Sequence, residues 1–312
     1  MTPLAVLRAE AIAEDVQLFE LARPDGGELP EFTPGAHVTV KLPNGLVRKY
    51  SLCNDPAERE HYLIAVKRER PGRGGSVGLI EGVKAGDTLL VGSPRNDFAL
   101  VPSPAGYTFI AGGIGITPLL SMARHLKSSG AGKFKLYYLT RSKATTAFHA
   151  ELSGPPFRGL VTIHHDEGDP DKSFDLWPVL EKPRGHVYCC GPRPLMTAVR
   201  DMSGHWSSAA VHFEAFQEAA KTAANDLPFD VRIKGKVEPV HVPVGTSILE
   251  ALRTAGYDAR SSCESGTCGT CKTRLVSGDI DHRDLVLSEA ERASHLMVCV
   301  SRARGGVLEI EL

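Results

Sequence analysis

Four cysteines near the end of the 312-residue chain carry its most specific chemistry. Cys263, Cys268, Cys271 and Cys299 follow the spacing C-x4-C-x2-C, then 27 residues, then C. Three thiolates on one short loop with a remote fourth suit a [2Fe–2S] cluster, whose inorganic core has to be wrapped closely. The segment SSCESGTCGTC fits that task. Its Ser, Gly and Thr residues permit a tight loop, and their backbone N–H groups can hydrogen-bond cluster sulfurs and so help set the potential. The competing arrangement, a structural zinc held by four cysteines, is ordinarily built from two knuckles of two cysteines each. The spacing favours the cluster.

Three further stretches have residue types suited to anion or ring binding. Arg48-Lys49-Tyr50-Ser51-Leu52 reads R-x-Y-S-L in an expected strand followed by a turn. A cation with a flat aromatic could hold a phosphate and a ring system. Arg73-Gly74-Gly75-Ser76 precedes the apolar VGLI, which reads as a glycine turn at a helix N-terminus, a natural anion site. Taken singly, each is equally a surface arginine, a core tyrosine or an ordinary loop. Ala111 to Pro118 (AGGIGITP) follows a strand and opens a helix. It is not G-x-G-x-x-G, but its glycines allow a pyrophosphate the same close backbone approach at a helix start. Thr117-Pro118 supplies a hydroxyl for the cap and a proline for the first helical position.

These motifs need elements to hold them. The first hundred residues read as short strands, His37–Leu42, Val47–Leu52 and His61–Lys67, punctuated by Pro34-Gly35, Pro43-Asn44-Gly45 and Pro71-Gly72. No long amphipathic helix precedes residue 117, so a small antiparallel barrel is expected. From Tyr107 the rhythm becomes strand, glycine turn, helix, strand, with short apolar strands at 134–139, 160–164 and 186–189. That alternation predicts a mostly parallel sheet covered by helices. Glu218–Asp226 reads as a linker. A third unit from Phe229 has strands FDVRIK and VEPVHV and a helix near Ser247–Ala255.

Composition narrows the class. About two domains, or three small ones, suit this length. Lys plus Arg total 36 and Asp plus Glu 37, a net charge of −1, and aromatics are 6%. Neither a basic excess nor an aromatic-basic platform points to nucleic acid. Phe98–Ala123 has no charged residue, yet its prolines and glycines read as strand, turn and helix start rather than a membrane span. Met1–Asp15 carries four charges and no sustained apolar core, so no secretory leader is expected. Cysteines kept as thiols or metal ligands suit the cytoplasm. Asp279, Asp281, Asp284, Glu289 and Glu291 could form an acidic docking face, although such a run is ordinarily solvated surface.

Phe229–Leu312 resembles a plant-type ferredoxin domain, which implies a β-grasp fold. In their order and separation, RKYSL and RGGS resemble the flavin barrel of the ferredoxin–NADP reductase superfamily. That resemblance implies flavin contacts from Arg48, Lys49, Tyr50, Ser51, Ala65, Val66, Lys67, Arg73, Gly75 and Ser76. AGGIGITP is similar to the superfamily's pyridine-nucleotide motif, implying roles for Gly112, Gly113, Gly115 and Thr117. Cys190-Gly191-Pro192 is similar to its C-G-P motif, whose cysteine lies near the nicotinamide, leaving Cys189 to packing. Tyr50, Thr117 and Cys190 would then meet the reacting rings, and Phe216 would shield the flavin.

Over nearly all its length the chain resembles the family of phthalate dioxygenase reductases and vanillate O-demethylase reductases. The resemblance implies an antiparallel β-barrel flavin domain at 1–103 and an α/β parallel-sheet nucleotide domain at 104–217. A linker at 218–228 and a β-grasp ferredoxin domain at 229–312 would follow. It implies electron transfer from NADH through FMN to the [2Fe–2S] cluster and on to a Rieske-type oxygenase of aromatic acids. FAD and NADPH are the less favoured partners: Thr140-Arg141-Ser142-Lys143 leans basic, while Asp166 and Glu167 follow the next strand, so the residues leave the dinucleotide open. The alternatives are another acceptor, such as a haem or di-iron monooxygenase, and a non-enzymatic redox sensor.

Overall fold

β1 (Thr2–Ala13) and β2 (Val16–Ala22) form a hairpin across Glu14 and Asp15, with Asp15 at φ 57. Asp is one of the few residues that tolerates this left-handed conformation. β3 (His37–Lys41), β4 (Val47–Ser51), β5 (His61–Lys67) and β6 (Thr88–Val91) complete a six-stranded antiparallel sheet of order β4-β3-β6-β1-β2-β5. A bridge from Leu52 to Ile64 joins the two ends of that order, so the sheet closes as the expected barrel. The structure is a computed structural model and describes residues 1–70, 74–216 and 226–312. Arg73 and most of the expected linker at 218–228 lie outside the described residues.

β5 explains how barrel and nucleotide fold are joined. Its side chains alternate between two cores, because successive residues of a strand point to opposite faces. Tyr62, Ile64 and Val66 enter the barrel core with Phe19 and Leu21. Leu63 and Ala65 join Val16 and Leu18 in a second core shared with Phe109, Ile116, Leu119 and Leu120. Both faces are covered, hence the near-continuous apolar run YLIAV. Barrel and parallel-sheet strands from Met1 to Leu195 therefore lie in one compact unit.

In the α/β half, β7 (Tyr107–Gly112) leads into α2 (Ile116–Ser129) after the eight-residue α1 (Gly75–Gly82) of the barrel. β8 (Phe134–Thr140), β9 (Val161–His165) and β10 (His186–Cys190) follow, with single turns α3 (His149–Leu152) and α4 (Trp177–Leu180) between them. After α5 (Arg193–Met202) and β11 (Val211–Glu214), the sheet order is β11-β10-β7-β8-β9. The pairs β10–β7, β7–β8 and β8–β9 are parallel. Sequential order reverses beside β7, and in open parallel sheets such a switch point opens a crevice at the strands' C-terminal ends. The uncharged stretch Phe98–Ala123 thus resolves into a loop, β7, a turn and part of α2. No helix among the described residues is long and apolar enough to cross a membrane.

α2 corrects one expectation. It begins at Ile116, with Gly115 as N-cap and no side-chain cap, so Thr117 already lies in the first turn. The Thr117 hydroxyl donates to the Ile114 carbonyl at 3.1 Å. A threonine inside a helix bonds back to a preceding carbonyl, whereas a capping one accepts from an N–H ahead.

The unit Met196–Leu312 contains the third sheet. β12 (Phe229–Ile233), β13 (Val240–Val242), β14 (Lys272–Asp281), β15 (His295–Met297) and β16 (Arg302–Glu311) take the order β13-β12-β16-β14-β15. Only β12–β16 is parallel, which makes the sheet mixed. α6 (Ile248–Thr254) packs Ile248, Leu249 and Leu252 against it, and a Ser247/Glu250 capping box fixes the helix start. A mixed sheet on one helix is the expected β-grasp. α7 (Glu289–Arg292) is a single turn started by a Ser288/Glu291 capping box.

Arg124 of α2 stitches the two halves of the first unit. Its Nη1 donates to the Cys53 carbonyl at 2.6 Å, and Nε and Nη2 grip the Glu151 carboxylate at 2.9 and 2.6 Å. Arg124→Ala is expected to lower the unit's unfolding free energy by roughly 1.5–3 kcal/mol, the usual worth of hydrogen bonds to charged groups. Denaturant unfolding followed by circular dichroism measures this, and a loss below about 0.5 kcal/mol would assign the joint to apolar packing alone.

Candidate functional site

The barrel brings its two expected phosphate-binding motifs together. Arg48 lies on β4 and Gly75 begins α1, 27 positions later, yet a Cβ added to Gly75 would meet Arg48 Nε at 2.8 Å and Cγ at 3.1 Å. The arginine side chain therefore lies directly on the first helical turn. Its Nη1 donates to the Val47 carbonyl at 2.8 Å. Gly74, at φ 74, is the N-cap and provides no side-chain cap. Cation and helix start together fit a phosphate. Ser76 accepts from the Glu69 N–H at 2.9 Å, which tethers the turn to the end of β5. Asn44 escaped the sequence reading, where Pro43-Asn44-Gly45 was only a turn. Its amide donates to the Gly74 carbonyl at 3.2 Å and its Oδ1 accepts from the Leu46 N–H at 3.2 Å, holding the glycine turn in place.

Tyr50, two residues on, is half-buried beside the barrel core. Its hydroxyl is buried with no hydrogen-bond partner among the described residues, and burial pushes its pKa up to about 12. An orphaned phenol on an otherwise apolar ring suits a polar-edged aromatic ligand. Ser51 is buried and Lys49 exposed. Of the three residues expected from β5, Ala65 and Val66 are buried in the two cores and Lys67 is exposed, 3.7 Å from Glu69. The Ala65 and Val66 side chains are thus committed to packing.

At the switch point the backbones of two turns touch. A Cβ on Gly115 would lie 2.2 Å from the Cys190 carbonyl oxygen, and one on Gly112 would lie 2.6 Å from Pro192 Cδ. A Cβ on Gly191 would meet Gly112 Cα at 2.9 Å. Gly113, at φ 54, faces open space. The two motifs read separately in sequence are therefore one structure at the C-terminal ends of β7 and β10, where Cys190 pairs with Ala111 in register. Thr117 is buried there at the start of α2. Cys189 and Cys190 are both fully buried, and Cys190 lies in the shared core with Ala65, Ala111 and Ile116. Burial raises the Cys189 thiol, which keeps it protonated. Phe216 is 46% exposed. The acids after β9 are committed locally: Asp166 accepts from the Gly168 N–H at 2.8 Å, and Glu167 pairs with Lys172.

The four cysteines fall into two pairs. Cys271 Sγ and Cys299 Sγ lie 3.1 Å apart, and Cys263 and Cys268 hydrogen-bond to each other. Among the described residues no three potential ligands converge on one point. Two pairs of thiols suit a two-iron core, each iron taking two, rather than one zinc taking all four. The hydrogen bond between Cys263 and Cys268 holds the Cys263 thiol below and the Cys268 thiol above the usual thiol range. The Ser265 N–H points at Cys263 Sγ from 3.4 Å, as the loop composition implied. Gly266 and Gly269 turn the loop at φ 75 and 81. Arg253 of α6, another residue without a sequence signal, braces it by donating to Glu264 Oε1 at 2.9 Å and Ser261 Oγ at 2.5 Å.

The acidic run is not a uniform surface: Asp279 and Glu289 are exposed, and the others are not. Asp284 is fully buried, Asp281 pairs with Arg283 at 2.6 Å, and Glu291 caps α7 and pairs with Lys272 at 3.0 Å. Alternating burial and local pairing disperse a run that looks contiguous in sequence.

Comparison with known proteins agrees with this geometry. Residues 231–304 match the family model described as "2Fe-2S iron-sulfur cluster binding domain", and residues 3–99 match "Oxidoreductase FAD-binding domain". A flavin barrel, a parallel-sheet nucleotide fold and a [2Fe–2S] domain on one chain define an iron–sulfur flavoprotein reductase. The chain is 52% identical to the phthalate 4,5-dioxygenase oxygenase reductase subunit of Pseudomonas putida, over 100% of this chain and 97% of that one. It is 38% identical to a vanillate O-demethylase oxidoreductase of Pseudomonas putida, over 96% of each. The solved structure of phthalate dioxygenase reductase, described as modular for electron transfer from pyridine nucleotides to [2Fe–2S], matches with a TM-score of 0.70. That match has 50% identity and covers 100% of this chain and 98% of that one. The chain belongs to the phthalate dioxygenase reductase family, whose members are reductase components of oxygenase systems.

Two substitutions separate the modules. Arg48→Ala is expected to weaken flavin binding by between about tenfold and a hundredfold, the worth of one charge-assisted bond; unchanged affinity in a flavin titration would remove Arg48 from the phosphate site. Cys299→Ser is expected to abolish cluster assembly while flavin reduction by the pyridine nucleotide survives. Loss of both in an anaerobic spectrum would mean that the modules do not work independently.

Proposed function

We propose that the chain is the NADH-dependent reductase of a Rieske-type oxygenase acting on an aromatic acid, with FMN as its flavin. The observation that carries this reading is the apposition of Arg48 with the first turn of α1 in a chain that also retains the glycine-lined switch point and the paired thiols. Domain limits of 1–103 for the flavin barrel, 104–217 for the nucleotide domain and 229–312 for the cluster domain accompany the proposal. Arg48 and the Gly75–Ser76 turn hold the phosphate, and Tyr50 lies along the ring. Gly112, Gly113 and Gly115 let the dinucleotide approach the backbone, while Thr117 and Cys190-Gly191-Pro192 position the nicotinamide. Phe216 screens the ring face from solvent. A flavin held there would supply acceptance of a hydride and one-electron release; the chain supplies orientation and exclusion of water. FMN over FAD and NADH over NADPH are choices supported by family membership rather than by a residue. Cysteines serving as cluster ligands or buried thiols suit a reducing cytoplasm.

Acid release and chromatography of the flavin, paired with NADH and NADPH turnover and reconstitution with a purified Rieske oxygenase, test the proposal. FMN, a preference for NADH and reduction of the oxygenase are expected. Transfer only to a haem or di-iron monooxygenase would replace the proposed partner, and no reduction by NADH would leave a redox sensor.

A further inference from the structure

We propose that Asp284 is a positioning residue for the [2Fe–2S] cluster: its carboxylate fixes the turn that braces the cluster loop, and its buried charge, set against Arg292, helps determine the cluster's potential. The inference rests on the reading of the four cysteines given above. Asp284 is fully buried, unlike Asp279 and Glu289 in the same acidic run, which are exposed. Its Oδ1 accepts from the Val286 and Leu287 N–H groups at 3.0 and 2.7 Å, which closes the turn that follows β14. The Leu285 N–H in the same turn donates to the Gly266 carbonyl at 3.0 Å. Gly266 lies between Cys263 and Cys268, in the left-handed conformation at φ 75. A Cβ there would come within 3.2 Å of Asp284 Cα and 2.8 Å of Val300 Cγ2, so the loop backbone lies against both segments.

Closing a turn would not require a charge. An asparagine oxygen accepts the same two bonds, and burying a carboxylate is costly unless its charge is matched. The second oxygen, Oδ2, has no hydrogen-bond partner among the described residues; His282 Nδ1 stands 3.8 Å away. Arg292 donates from Nη2 to the Asp284 carbonyl at 3.3 Å, and its Nε is buried without a partner. Three unsatisfied buried polar atoms thus gather behind the loop. Burial lowers the pKa of His282 and keeps the imidazole neutral near pH 7, so Arg292, held on the Asp284 backbone carbonyl, is the neighbouring cation. Reduction adds negative charge to the cluster. A buried anion behind its loop opposes that step and a cation favours it, and nearby charge is a recognised determinant of cluster potentials.

The test uses the full chain carrying its cofactors. Asp284→Asn keeps both turn bonds and removes the charge; Arg292→Gln removes the opposing charge and leaves the turn bonds untouched. Iron and sulfide content measures assembly, and a redox titration monitored by electron paramagnetic resonance measures the midpoint potential. Asp284→Asn is expected to assemble its cluster with a more positive potential, and Arg292→Gln with a more negative one. Unmoved potentials, or shifts of the same sign, would overturn the proposal. Should Asp284→Asn not assemble, the Arg292→Gln potential decides it alone. A wild-type protein without a cluster signal would instead overturn the reading of the cysteines.

Discussion

The glycine-lined switch point depends on one constraint, the contact of two backbone turns with no side chain between them. Where Gly115 meets the Cys190 carbonyl and Gly191 meets Gly112, a single added methyl would force β7 and β10 apart. That contact brings the end of each strand to the switch point and leaves Gly113 facing open space. It also sets the position from which α2 departs. α2 carries Arg124 and Ser121, whose bonds to the Cys53 and Asn54 carbonyls attach the barrel. Phosphate turn and nucleotide turn are thereby parts of one compact unit.

The cluster domain uses a different device. Its loop is shaped by glycines and braced from outside, by Arg253 on one side and the Asp284 turn on the other, while the thiols meet as pairs. The ligands are thus held by groups that are not ligands. An outer shell of this kind orients a metal centre and tunes it.

What the sequence made legible follows from locality. The four-cysteine spacing, the AGGIGITP turn and the Ser247–Ala255 helix are local patterns, and each lies where it was expected, apart from the helix after the turn, which starts at Ile116 instead of Pro118. Long-range matters were hidden. β1 has charged residues such as Arg8 and Glu10 along its length, and its pairing with β2 and β6 makes it a strand despite its weak apolar pattern. Asn44 looked like a turn residue because its partner Gly74 is 30 positions away. Asp284 looked like solvated surface because burial depends on what packs around a residue, and a charge run does not reveal that. Val66 looked equivalent to Ala65, but strand alternation sends their side chains into different cores.

The central claim is that one chain carries electrons from a pyridine nucleotide through a flavin to its own cluster. Anaerobic rapid mixing with NADH, followed at the flavin and cluster absorption bands, tests it most directly. The account predicts bleaching of the flavin band followed by the cluster band, with a second rate that does not change with protein concentration. A cluster band that stays oxidised, or one that bleaches faster as protein concentration rises, would contradict an internal path.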